Sequence, residues 1–258
     1  MSSTAVLSNR FTRTDEAVNP WVIAIAVMLG TFMEVLDTTV VNVALPHIAG
    51  SLSSTENEAT WVLTSYLVSN AIVLPMTGWL ANHFGRKRIL MMSVIGFTIS
   101  SLACGLAPSL GALIFFRVVQ GATGGGLQPL SQAIMMEAFP PEKRGKAMAF
   151  WALGIVVAPM LGPVLGGWLT DSYSWRWVFY INLPIGILAA IMAMVFVFDP
   201  PYIKRSGEGV DYWGMGFLVI GMGALQIFLD KGQQEDWFAS TFIRVLAFLA
   251  FGGLVAFV

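Results

Sequence analysis

Eight runs of mostly apolar residues, set apart by short polar stretches, divide the chain: 21–45, 60–81, 90–107, 110–136, 147–169, 177–198, 213–229 and 242–258. A helix needs about 20 apolar residues to cross the hydrocarbon of a bilayer, so the pattern predicts membrane-spanning helices. The seventh run is short, and the eighth reaches the last residue, Val258. Within the fifth, Gly154, Ala158, Gly162 and Gly166 recur every fourth position, with Pro159, Pro163 and Gly167 interleaved. That spacing puts small side chains on one helix face, where a second helix can approach closely in lipid. Each proline inside a soluble helix would cost about 3 kcal/mol, whereas a membrane helix can redirect the freed carbonyls to its neighbours. The fifth run is therefore expected to be bent, embedded and tightly packed.

Basic residues alternate along the connections. Arg10 and Arg13 lie in the amino tail, Arg86, Lys87 and Arg88 after the second run, Lys143, Arg144 and Lys146 after the fourth, and Lys204 and Arg205 after the sixth. The other connections hold only Arg176 and Lys231. Cytoplasmic loops carry the Lys and Arg excess, so a multi-pass protein of the cytoplasmic (inner) membrane with its amino terminus in the cytoplasm is expected. The first nineteen residues contain no short apolar core with a small-residue cleavage site, and the first run should remain as an anchor. Trp61, Trp168, Trp175, Trp177, Trp213 and Trp237 fall near run ends, as an interfacial aromatic belt requires. Pro200 and Pro201 close the sixth run. The division that follows is a tail at 1–19, a six-span unit at 20–200, a cytoplasmic linker at 201–211 and two additional spans at 212–258.

Composition removes several kinds of chemistry. Charged residues make up 11% of the chain, against about 25% in a soluble domain. One cysteine, Cys104, and two histidines offer no disulfide framework and no C-x-x-C or H-E-x-x-H pattern, so neither a metal nor a cofactor is expected. A net charge of -1 without a basic, aromatic-laced stripe gives no case for nucleic acid. The cluster Gly124 to Gly126 is not a dinucleotide fingerprint after a strand. His47 and His83 sit at run edges, where solvated loop histidines are common. No histidine lies within a run beside a serine or an acid, which argues against a membrane hydrolase and against an enzyme in general.

Three charges lie deep inside the apolar runs and carry the chemistry. Glu34 and Asp37 lie midway along the first, three residues apart and so on one helix face. A charged side chain there costs at least about 2.5 to 3.5 kcal/mol on insertion scales, and such residues face water-filled cavities or partners. A carboxylate held there can load and release a proton. Arg117 is the positive counterpart in the fourth run, with Gln120, Gly121, Gly124, Gln128 and Gln132 continuing a polar, small-residue stripe suited to a hydrated cavity. The plainer alternative is that these groups only bond neighbouring helices. Met33, Met76 and Met160 are candidates for an adaptable apolar pocket, and Arg244 is near enough to a run end to snorkel.

Five segments carry a family resemblance. GIVVAPMLGPVLGG (154–167) resembles the fifth-span motif of drug antiporters of the major facilitator superfamily, and LDTTVVNVALP (36–46) resembles their first-span signature, with Asp37 and Asn42 at its polar positions. GWLANHFGRKR (78–88) is similar to the loop motif of the whole superfamily, through Gly78, Gly85 and Arg86. RVVQGATGGG (117–126) resembles the fourth-span motif, whose arginine is associated with proton coupling, and WRWVFYINLPIG (175–186) resembles the sixth-span opening of the fourteen-span branch, the EmrB and QacA type. Two departures stand out: Asn82 replaces a usual aspartate, and Glu34 is not part of the pattern. The resemblance implies an all-α membrane protein, a major facilitator six-helix amino-terminal domain built from inverted triplets plus two linking transmembrane helices. It also implies proton-coupled efflux of hydrophobic small molecules by alternating access. Asp37, Glu34 and Arg117 would couple protons, and Asn42, Gln120, Gln128 and Gln132 would line the cavity. Residues 154–167 would form the helix seam, and the Arg86 loop would stabilise one state. In a host with two membranes, a periplasmic adaptor and an outer-membrane channel would be partners. Import of a metabolite or ion by the same fold, and a non-transporting membrane scaffold or sensor, stay open as alternatives.

Overall fold

Asn19 starts the first helix by accepting the Trp21 N–H on its side-chain oxygen at 3.0 Å, and Pro20 takes the first helical position, where a missing donor is harmless. In this computed structural model, which describes residues 19–199 and 211–257, helix α1 (Pro20–Ser51) passes through Pro46 and beyond the predicted end at 45. Its last turn is held by the buried side chains of Ile48 and Ala49. The tail before residue 19 and the linker up to residue 210 lie outside the described residues.

The remaining helices follow the predicted order. A capped turn, α2 (Glu56–Ala59), leads into α3 (Trp61–Phe84); Thr55 and Glu58 close its capping box. Then come α4 (Arg86–Gly105), α5 (Leu110–Gly124), α6 (Leu127–Ala138) and α7 (Pro141–Ser172). They are followed by α8 (Trp177–Tyr180), α9 (Asn182–Phe196), α10 (Tyr212–Lys231) and α11 (Thr241–Phe257). The fourth run is one span in two helices, interrupted by a turn at Gly125 and Gly126, and the sixth continues from α8 into α9 through Ile181. Among the described residues, seven segments are long and apolar enough to cross a membrane; α11 is apolar but 17 residues long. No strand occurs among the described residues.

Helix α1 is the central post, packed against α6, α7 and α9, while α5 sits between α3 and α4. The seam with α7 is made by small residues. A Cβ on Gly162 would lie 2.5 Å from that of Thr39, one on Gly166 would lie 3.0 Å from the Val40 carbonyl, and one on Gly154 would meet the Met28 sulfur at 2.8 Å. Ala158 is wholly buried in the same line. Gly167 faces open space, and Pro159 and Pro163 are exposed, so the seam is narrower than the motif: the prolines sit on its outer side. That outer face of α7 presents Leu153, Val156, Met160 and Val164, as a lipid-facing helix does. A tighter approach joins α5 to α3, where Gly121 lies directly against the Tyr66 carbonyl and the Ser69 hydroxyl.

Polar clasps hold the ends of the bundle. At the end carrying the Arg86 loop, Gly85 has φ 96°, and the Asp199 carboxylate occupies the space of its missing side chain, 2.7 Å from an ideal Cβ. Asp199 accepts the Lys87 N–H at 2.7 Å and so caps the first turn of α4 from the far end of the sixth span. At the opposite end, Arg176 donates to the carbonyls of Gly105 (2.7 Å) and Ala107 (2.9 Å), satisfying the last turn of α4. Helix α10 docks on α3 there: Asp230 accepts from Thr64, and the buried ammonium of Lys231 donates to Thr60.

Two outcomes are expected for the purified protein under thermal unfolding. Gly121→Ala forces α5 off the α3 backbone and lowers stability by about 1 to 3 kcal/mol, whereas Gly167→Ala is neutral or stabilising by up to about 1 kcal/mol; equal effects would reject the assigned seams. Asp199→Ala removes a helix cap, with an expected loss of about 0.5 to 2 kcal/mol, and an unchanged melting temperature would show that the cap does nothing.

Candidate functional site

Asp37 and Arg117 form an ion pair with both side chains at 0% exposure. The aspartate comes from the middle of α1 and the arginine from α5, and each gains further polar partners from neighbouring helices. One Asp37 oxygen takes the Arg117 guanidinium; the other accepts from Gln120 (3.1 Å) and Asn182 (2.7 Å). Arg117 also donates to the Val62 carbonyl of α3 at 3.0 Å and to Gln120 at 2.7 Å, and it lies 4.1 Å over the Tyr66 ring. Asn182 in turn donates to Ser101, whose hydroxyl bonds the Phe179 carbonyl. Five spans thus meet in one network around this carboxylate. Such a site is high in stakes, because removing either charge strands the other in an apolar interior.

Glu34 stands apart from this pair. Its carboxylate, 4% exposed, accepts the Asn70 amide of α3 at 2.8 Å, with Gln128 of α6 beside it. Its second oxygen has no partner among the described residues. Tyr66, stacked on Arg117, is within electrostatic reach of Glu34 and beside Asn70, and so links the two acids spatially.

The expected polar residues therefore separate into distinct roles. Gln120 is wholly buried in the shell of the ion pair and not on a cavity wall. Gly121 and Gly124 serve close packing, against Tyr66, Ser69 and Phe97, and so do not extend a wet stripe. Gln128 is half-buried near Glu34; Gln132 and Asn42 are exposed and separate from the pair. The three methionines do not gather: Met33 is in the core, Met160 is exposed on α7, and Met76 lines a cleft between α3 and α10 with Trp79 and Met215.

In the loop motif, Gly78 meets nothing within 4 Å of a would-be side chain and Asn82 is exposed. Arg86 bypasses position 82 altogether and pairs with Glu137 at the end of α6. His47 lies on α1, 3.5 Å from Asp171 of α7, and His83 stacks on Trp79, so neither is a loop residue. Among the described residues no cluster of His, Cys, Asp and Glu could hold a metal ion.

Asn182, Ser101, Tyr66 and Asn70 were not read from the sequence as site residues. The available signal was an amide inside an apolar run: Asn70 within 60–81 and Asn182 within WRWVFYINLPIG. An intramembrane amide needs partners as a charge does.

A family model described as Major Facilitator Superfamily matches residues 27–258. The multidrug export protein EmrB of Haemophilus influenzae is 47% identical over 236 residues, covering 92% of this chain and 46% of that protein. The fatty acid resistance protein FarB of Neisseria gonorrhoeae is 44% identical, covering 89% of this chain and 45% of its own length. The chain thus spans just under half the length of these curated relatives. Among solved structures, a peptide transporter POT in complex with sulfate superposes with a TM-score of 0.67 at 15% identity, over 92% of this chain and 51% of that one. A D-xylose-proton symporter gives 0.59 at 19% identity, over 91% and 66%. With the buried pair, the helix seam and the loop motif in place on an all-helical membrane fold, the match establishes that the chain belongs to the major facilitator superfamily.

Proposed function

We propose that the chain works in proton-coupled efflux of hydrophobic toxic compounds across the cytoplasmic membrane, by alternating access. The observation that carries this reading is the Asp37–Arg117 pair at 0% exposure, with a second acid, Glu34, one turn away on α1. Charges are costly at membrane depth and are kept where they move ions or substrates. The relatives, a multidrug export protein and a fatty acid resistance protein, suggest the substrate class: apolar small molecules.

The mechanism follows from charge balance. With Asp37, Glu34 and Arg117 as the proton-coupling group, loading a proton changes the net charge among α1, α3 and α5 and weakens the attraction that holds those helices in one arrangement. The glycine seam keeps α1 and α7 together as one body, so the change is transmitted as a domain movement rather than absorbed locally. The Arg86–Glu137 pair ties the loop motif to the end of α6 and would favour one of the two states. The alternation of Lys and Arg supports a cytoplasmic amino terminus. In a two-membrane host, the same reading adds a periplasmic adaptor and an outer-membrane channel.

For Asp37→Asn, the expected outcome is that dye efflux driven by a pH gradient falls to the level of protein-free liposomes while the protein still inserts. The unpaired Arg117 should also lower its stability by about 3 to 5 kcal/mol. Unchanged gradient-driven efflux in reconstituted liposomes would reject the proposal.

A further inference from the structure

The two acids of α1 are three residues apart, but their surroundings differ in every respect that matters for exchanging a proton. Asp37 is neutralised by Arg117 and accepts three side-chain donors in all, and behind it Arg117, Gln120 and Asn182 are each at 0% exposure. Its charge is matched and both of its oxygens are engaged. Glu34 accepts the Asn70 amide on Oε1, has the Gln128 amide beside it, and keeps an oxygen, Oε2, that is buried with no hydrogen-bond partner among the described residues. Among the described residues no cation faces it: the titratable groups within its reach are Asp37 on its own helix and Tyr66 on α3, and α6 offers the neutral Gln128. Both amides beside it, Asn70 and Gln128, are half-exposed, so Glu34 lies one side chain from the molecular surface.

We infer that Glu34, and not Asp37, is the acid that loads and releases the proton, and that Asp37 acts as the fixed counter-ion of Arg117. A buried carboxylate with no counter-charge must be balanced by something that arrives. A proton does this by forming an O–H bond at the unpartnered Oε2, and the same bond breaks on release, with water reached past Asn70 and Gln128 as the acceptor. Asn70 is then a positioning residue that holds Oε1 and leaves Oε2 free. Neither Asp37 oxygen lacks a donor, and a proton there would neutralise the acid and leave the Arg117 guanidinium buried without its counter-charge. This assignment rests on the proton-coupled reading, and it turns on a residue outside the family motif.

The test is pH-difference infrared spectroscopy of the purified protein in lipid nanodiscs, reading the carbonyl stretch of a protonated carboxylic acid. The expected result is a titrating band that is lost in Glu34→Gln, returns at a shifted frequency in Glu34→Asp, and survives in the charge-neutral double variant Asp37→Asn/Arg117→Gln. Asn70→Leu should keep the band but move its titration midpoint, which a merely structural role would leave in place. A band that survives Glu34→Gln overturns the inference, and so does one that is kept in Glu34→Gln but lost in the double variant. If the double variant fails to fold by circular dichroism, the Glu34→Gln arm decides alone. Because this readout needs no transport, a wild-type protein that shows the Glu34 band yet moves no solute would sink the proposed function and leave the assignment standing.

Discussion

A fully buried ion pair dictates the arrangement of the six-span unit. Asp37 and Arg117 can sit together in an apolar interior only if polar partners surround them, and the fold supplies such partners from four helices: Val62 and Tyr66 on α3, Gln120 on α5, Asn182 on α9 and, behind it, Ser101 on α4. Pairs of this kind add little net stability compared with apolar residues of the same volume. Their presence is better understood through what the charges do than through what they hold together. The same argument explains why polar side chains in this membrane fold are concentrated at helix crossings, where bonding partners exist, and are sparse on lipid-facing surfaces.

Around this centre, two kinds of contact divide the labour on α1. Toward α7 the helix meets glycines and an alanine, and the contact is close, apolar and featureless in charge. Toward α3, α5 and α9 it meets amides, an arginine and a tyrosine ring. One face therefore resists deformation through close packing, while the other carries the ionisable groups on which the proposed proton coupling depends. A transporter needs both properties in one element, since a change of charge has to be delivered to something stiff.

Much of this was legible in the sequence. The apolar runs located the spans, since lipid leaves no other use for twenty uncharged residues, and the four-residue recurrence identified the α7 seam. The ends of helices were harder: the turn of α1 after Pro46 packs Ile48 and Ala49 into the core, which only tertiary packing reveals. Charges inside runs pointed to Asp37 and Arg117, but periodicity on one helix cannot say which partner sits opposite. The stripe through Gln120, Gly121 and Gly124 therefore looked like one wet face, although its glycines admit α3 and its glutamine serves the pair. The amides of Asn70 and Asn182 escaped notice because they come from helices distant in sequence, and their roles depend on crossings that no local pattern encodes.

The Asp199 cap carries a consequence for biosynthesis. It joins positions 87 and 199, 112 residues apart in the chain. Because translation proceeds from the amino end, the opening turn of α4 leaves the ribosome long before its cap exists. Until the sixth span has been threaded into the bilayer, the third is held at that end without its final tether, and the nascent chain keeps freedom there that the finished protein lacks.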